Sequence, residues 1–179
     1  MGKFRDALAL LVAIFLGAGA IYLGLNWGPS NQQEIVADPL SPGALYTTSF
    51  PDLKGNAQAL GQWQGKIMVL NLWATWCAPC RDEIPVLIKL QRKYVERGVI
   101  FVGLALDDAE PVAKYSKEMG IDYPIVVGGA GAGEFARRLG NRNGLLPFTV
   151  IVDRSGKTVT SHLGALDEPR LEKMLQSLL

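Results

Sequence analysis

Both cysteines of this 179-residue chain lie in one short run, Trp76-Cys77-Ala78-Pro79-Cys80. Within the chain, each thiol has only the other to pair with, so neither can belong to a structural bridge framework. The stretch ahead of them, Lys66 to Trp73, is apolar with β-branched residues near its start and reads as a buried strand. The stretch behind them, from Arg81 to about Arg97, carries Ile84, Leu87, Ile88, Leu90, Tyr94 and Val95 at helical spacing. The pair therefore sits where a strand hands over to a helix. Pro79 suits the first turn of such a helix. Its free N–H groups and the positive end of its dipole favour a thiolate. The pattern predicts a redox-active Cys77/Cys80 dithiol that needs no other cofactor. Structural zinc would require four ligands, and the only histidine, His162, stands some eighty residues further on.

The amino terminus carries the second strong signal. From Ala7 to Leu25 no residue is charged and nearly all are apolar. Nineteen helical residues span roughly 28 Å, close to the ~30 Å hydrocarbon core of a bilayer. Tyr22 and Trp27 stand near its far end, where amphipathic aromatics favour the interface. Lys3 and Arg5 precede the run, and the next Lys or Arg is Lys54. The positive-inside rule then leaves the N-terminus cytoplasmic and exports everything beyond Leu25. Ala18-Gly19-Ala20 also has the form of a signal-peptide cleavage site. Because the apolar run continues through Ile21-Tyr22-Leu23-Gly24-Leu25, an uncleaved anchor over residues 1–27 is the favoured reading. In either case the domain faces an oxidising compartment, where a C-x-x-C pair needs its own electron supply to stay reduced.

Residues 28–44, rich in Pro, Gly, Ser, Asn and Gln, read as a linker. Residues 45–179 suit one domain. Within it, a buried strand is expected at Val99 to Leu106, a short strand at Tyr123 to Val127, and two further strands at Val150 to Val152 and Thr158 to Leu163. Helices are expected from Pro111 to about Met119, Glu134 to Leu139 and Glu168 to Leu178. The last two strands share the short turn Asp153–Lys157, so they should be antiparallel and the sheet mixed. The predicted class is α/β, a mixed central sheet flanked by helices, with an N-terminal transmembrane helix. Eighteen Lys and Arg against 17 Asp and Glu leave no basic footprint for nucleic acid.

The run Asn71 to Pro85, with Trp76-Cys77-Ala78-Pro79-Cys80 at its centre, resembles the active-site stretch of thioredoxin-fold proteins. It is most similar to the membrane-anchored, extracytoplasmic TlpA/ResA-like thiol–disulfide reductases. Pro85 stands where that fold commonly kinks its active-site helix. Leu146-Pro147, followed by Phe148 to Asp153, resembles the cis-proline loop and the strand after it. Ser49 to Gly55 is similar to the N-terminal strand and turn of the TlpA and peroxiredoxin branches. The resemblance implies a thioredoxin fold anchored in the bacterial cytoplasmic membrane by one helix, with its domain on the periplasmic side. It implies Cys77 as attacking thiolate and Cys80 as resolving thiol. Trp76, Leu146 and Pro147 would bind substrate. The implied partners are an exported disulfide-containing protein, a membrane electron donor and the lipid bilayer, and the implied setting is cytochrome c maturation.

Glu83 lies three residues beyond Cys80, on the same helix face, where its carboxylate would oppose a thiolate and could pass protons. ResA-like proteins carry a functional glutamate at the matching position. Thioredoxin itself has a buried aspartate on the preceding strand, where this chain has Asn71, so proton handling moves onto Glu83. Three weaker motifs lead elsewhere. Gly128 to Gly133 lacks the G-x-G-x-x-G spacing of a dinucleotide site and reads as a flexible surface loop. Arg137, Arg138 and Arg142 read as a solvated helix end. His162 reads as a structural or solvent-facing residue on a late strand, with no G-x-S-x-G motif to make it hydrolytic. The P-x-x-x-T-x-x-C arrangement of peroxiredoxins is absent around Cys77. Within the thioredoxin fold, an oxidase or isomerase remains the alternative to a reductase.

Overall fold

The computed structural model describes residues 40–179, and the predicted anchor lies outside them. Among the described residues, no helix is long and apolar enough to cross a membrane. The order of elements is α1 (Pro42–Thr47), β1 (Ser49–Pro51), β2 (Ala57–Ala59), β3 (Ile67–Trp73), α2 (Ala78–Tyr94) and β4 (Val99–Ala105). Then come α3 (Ala109–Met119), β5 (Ile125–Val127), α4 (Ala132–Arg138), β6 (Phe148–Val152), β7 (Thr158–Leu163) and α5 (Glu168–Gln176).

Five strands form the central sheet in the order β5-β4-β3-β6-β7. β3 lies in the middle, parallel to β4 from Ile67↔Val99 to Trp73↔Ala105 and antiparallel to β6 from Met68↔Val152 to Leu72↔Phe148. β4 and β5 run parallel, and β6 and β7 antiparallel, so the sheet is mixed. Every residue of β3, β4 and β6 is buried. Strands so placed must be covered on both faces. Strand alternation sends Ile67, Val69, Asn71 and Trp73 toward α2 and α5, where they meet Ile84, Leu87, Leu171 and Leu175. The intervening Met68, Leu70 and Leu72 meet Leu45 of α1, Phe135 and Ala136 of α4, and Leu139 just after it. Each such side chain contributes roughly 1.5–3 kcal/mol when it leaves water.

Residues 40–44 behave differently from the tether that their composition suggests. Leu40 is buried, Ser41 caps α1 by accepting the Ala44 N–H, and Pro42 opens the helix, with Leu45 buried beneath it. Ser-Pro-Gly looks like a chain breaker, yet Ser before Pro is also a helix start. A second difference concerns the glycine run. Gly129–Gly131 forms a 3-10 turn that leads directly into α4, rather than a loose loop. A Cβ on Gly128 would lie 2.3 Å from the Ala132 Cβ and 2.9 Å from Leu104 Cδ1. Gly128 thus permits close approach of α4 to the sheet.

Candidate active site

β3 delivers its chain into a short loop, and Asp107 at the end of β4 fixes that loop. Asp107 Oδ2 accepts the Thr75 N–H at 3.0 Å and also the Thr75 hydroxyl, while the Leu106 N–H donates to the Trp73 carbonyl at 2.8 Å. Burial pushes the Asp107 carboxyl upward, but the hydrogen bonds from Thr75 and the Asp108 N–H outweigh it and hold it below its ordinary value. Trp76 follows, with 69% of its surface exposed. Cys77 then caps α2.

Cys77 and Cys80 are joined as a disulfide, their Cα atoms 5.3 Å apart. Cys77 keeps 5% of its surface exposed and Cys80 none, so a partner arriving from solvent meets Cys77 first. The Cys80 N–H donates to Cys77 Sγ at 3.3 Å. When the bond is open, the same N–H and the helix dipole point at the sulfur that would carry negative charge. α2 begins at Ala78, ahead of its apolar periodicity, and ends at Tyr94 in a 3-10 turn, Val95–Arg97. Pro85 lies within it and is solvent-exposed.

Glu83 lies one turn below Cys80, with only 2% of its surface exposed. Its Oε1 accepts Asn71 Nδ2 at 2.7 Å, and its Oε2 accepts the Leu166 N–H at 2.9 Å. Burial raises the carboxyl to about 7, against the lowering effect of those two hydrogen bonds. The group can therefore take up or release a proton near neutral pH. Asn71 Nδ2 also donates to Thr149 Oγ1 at 3.0 Å. Asn71 Oδ1, Trp73 Nε1 and the Tyr123 hydroxyl are buried with no hydrogen-bond partner among the described residues. Gly103 on β4 pairs with Asn71 in register. A Cβ there would come within 2.9 Å of Trp73 Nε1 and 3.3 Å of Tyr123 Cε2. Burial, and then the Glu83 charge, raise the Tyr123 hydroxyl well above its ordinary value.

Pro147 follows a cis peptide bond from Leu146. Leu146 packs against the cluster that contains Cys77 and Cys80. The Pro147 carbonyl accepts the Gly164 N–H at 2.9 Å, and two residues later Leu166 binds Glu83. Segment 164–166 thus ties the proline loop to the buried carboxylate. His162, on β7, pairs with Thr149, and burial followed by the Arg170 charge lowers its imidazole. Arg137 forms a surface ion pair with Glu134 at 2.6 Å. Sequence reading passed over Asp107, Thr149, Leu166 and Tyr123. Only Thr149 left a signal, as a polar residue in an apolar strand.

A reversible disulfide at the head of a helix, on this sheet and beside a cis-proline loop, defines a thioredoxin-fold thiol–disulfide oxidoreductase. Residues 39–176 match the family model described as Redoxin. Over 180 residues the chain is 30% identical to the thiol-disulfide oxidoreductase ResA of Bacillus thuringiensis subsp. konkukian, covering 99% of each chain. It is 32% identical over 130 residues to the ResA of Geobacillus kaustophilus, covering 71% of each chain. Among solved structures, a thiol:disulfide interchange protein of the thioredoxin family from Chlorobium tepidum TLS superposes with a TM-score of 0.64. It is 26% identical and covers 73% of this chain and 92% of that one. The chain belongs to the Redoxin family, among the ResA-like thiol–disulfide oxidoreductases.

Proposed function

We propose that this protein reduces disulfides of exported proteins from a membrane tether, with cytochrome c maturation as its setting. The observation that carries the chemistry is the N-cap position of Cys77. Cys77 is the more exposed residue of the pair and its sulfur accepts a helix N–H, and a titratable carboxyl lies buried below. In the reduced form, the Cys77 thiolate attacks one sulfur of a partner disulfide. A Cys77–partner disulfide forms, the partner's own bond breaks, and the leaving sulfur takes up a proton. Cys80 then gives its proton to Glu83, attacks Cys77 Sγ and restores the Cys77–Cys80 bond. The partner's second sulfur leaves as a thiolate and takes up the proton held by Glu83. Two electrons have then passed from the dithiol to the partner, which leaves with two thiols. Trp76, Leu146 and Pro147 receive the partner chain.

The tether and the compartment rest on the apolar run from Ala7 to Leu25 and the basic residues before it. The end-to-end match with a ResA protein supports them. An extracytoplasmic dithiol must be re-reduced, so a membrane electron donor is part of the reading.

The deciding measurement is the Cys77/Cys80 reduction potential in thiol buffers. A value near thioredoxin's roughly −270 mV fits a reductant, and one near DsbA's roughly −120 mV would replace it with an oxidase. A Cys80→Ser variant should accumulate covalent Cys77–partner adducts in cells.

A further inference from the structure

The segment leading to the proline loop is held by a buried side chain with no role in the disulfide chemistry. Asn141 is only 4% exposed, although it lies in the loop three residues past the end of α4. Its own N–H is fixed to the Ala136 carbonyl at 2.9 Å, closing the helix. Its amide then turns both polar ends to one residue. Nδ2 donates to the Leu145 carbonyl at 2.9 Å, and Oδ1 accepts the Leu145 N–H at 3.1 Å. The Asn141 carbonyl accepts the Gly144 N–H at 3.2 Å, so residues 141–145 form a closed ring with Arg142, Asn143 and Gly144 exposed. A buried amide satisfied in this way fixes the backbone at Leu145 as a β-bridge would.

Leu145 turns its side chain outward, 51% exposed, although it is a large apolar residue. The next residue, Leu146, lies against the cluster that holds the disulfide. Trp76, next to Cys77 in the chain, is also strongly exposed. We infer that Asn141 is a positioning residue for partner binding, holding Leu145 as a preset apolar contact for the residue next to the partner's cysteine. The partner class that fits is an extended segment with an aliphatic side chain flanking its disulfide. Pre-ordering the loop spares the entropy otherwise lost when the partner docks. The inference rests on the Leu146–Pro147 segment receiving the partner, as proposed above, but not on the direction of electron flow.

The test uses the full-length protein and two disulfide-bonded peptides that differ only in Leu or Ser beside one cysteine. Asn141→Ala should raise KM for the Leu peptide by about fivefold to thirtyfold, the loss expected for two buried hydrogen bonds and one contact, with kcat within about twofold. The rate with a small aromatic disulfide and the reduction potential should not change. Leu145→Ala, which keeps the loop backbone, should raise KM for the Leu peptide and leave the Ser peptide alone. Unchanged KM in both variants, or equal increases for both peptides, overturns the inference. If the wild type only oxidises the reduced peptides, the reductase reading fails. The variant comparison then decides the inference in that direction.

Discussion

The two faces of the central sheet are built from the same strands and do different work. Met68, Leu70, Leu72, Ile100, Val102, Leu104, Val150 and Val152 point to one face, where they form an apolar cluster with Leu45, Phe135 and Ala136. Their immediate neighbours point to the other face, where the apolar lining is interrupted by Asn71, Thr149, Gly103 and, from α2, Glu83. That face keeps three buried polar atoms without a partner among the described residues, and a carboxyl raised to about 7. Such groups cost stability. One layer therefore offsets the destabilisation carried by the layer that holds the disulfide, and a one-residue step along a strand separates the two roles.

The largest expected effect is on the apolar face. Leu70→Ala empties a fully buried site and should cost about 2–5 kcal/mol in chemical denaturation, while the Cys77/Cys80 reduction potential stays at the wild-type value. A shifted potential would mean that the faces are not separable. Next comes Glu83. Its carboxyl is raised from 4.5 to about 7 on folding, so between those values the folded chain holds a proton that the unfolded chain has released. Stability should fall as pH rises through that window, by roughly 3 kcal/mol in all. Glu83→Gln should flatten this slope, and parallel pH profiles for variant and wild type would show that the face carries no such cost. The smallest effect is expected from Gly103→Ala. The new methyl would press on Trp73 Nε1 and the Tyr123 ring at the centre of the polar cluster, costing about 1–3 kcal/mol in the same assay. A neutral or stabilised variant would show that the cluster has spare room.

Much of the scaffold was legible because its signals are local. Strand alternation, the helical spacing after Cys80 and the turn at Asp153–Lys157 each occupy a few consecutive residues, and the elements appear within a few residues of where they were expected. The Cys77–Cys80 disulfide could be read for the same reason, whereas the cis bond at Leu146–Pro147 was implied only by the family resemblance. The surroundings of Glu83 could not. Its Oε2 partner is the N–H of Leu166, 83 residues away, and every residue but proline has such a donor. Asn141 looked like one more polar loop residue until the chain closed on Leu145. Gly128 read as part of a flexible surface loop because close packing against Ala132 leaves no trace in sequence.

The small N-terminal hairpin has a consequence for handling the protein. A sheet ends in strands whose outer N–H and C=O groups invite another chain. Here Asp52 bridges Val126 in antiparallel fashion and covers the outer side of β5. At the opposite border, an irregularity between Ile151 and Val152 interrupts the β6–β7 pairing. Cutting the chain after Asn56 would strip the cover from β5 and offer it to a second molecule. A fragment made for study should keep Leu40 and everything after it, or self-association will be mistaken for a property of the enzyme.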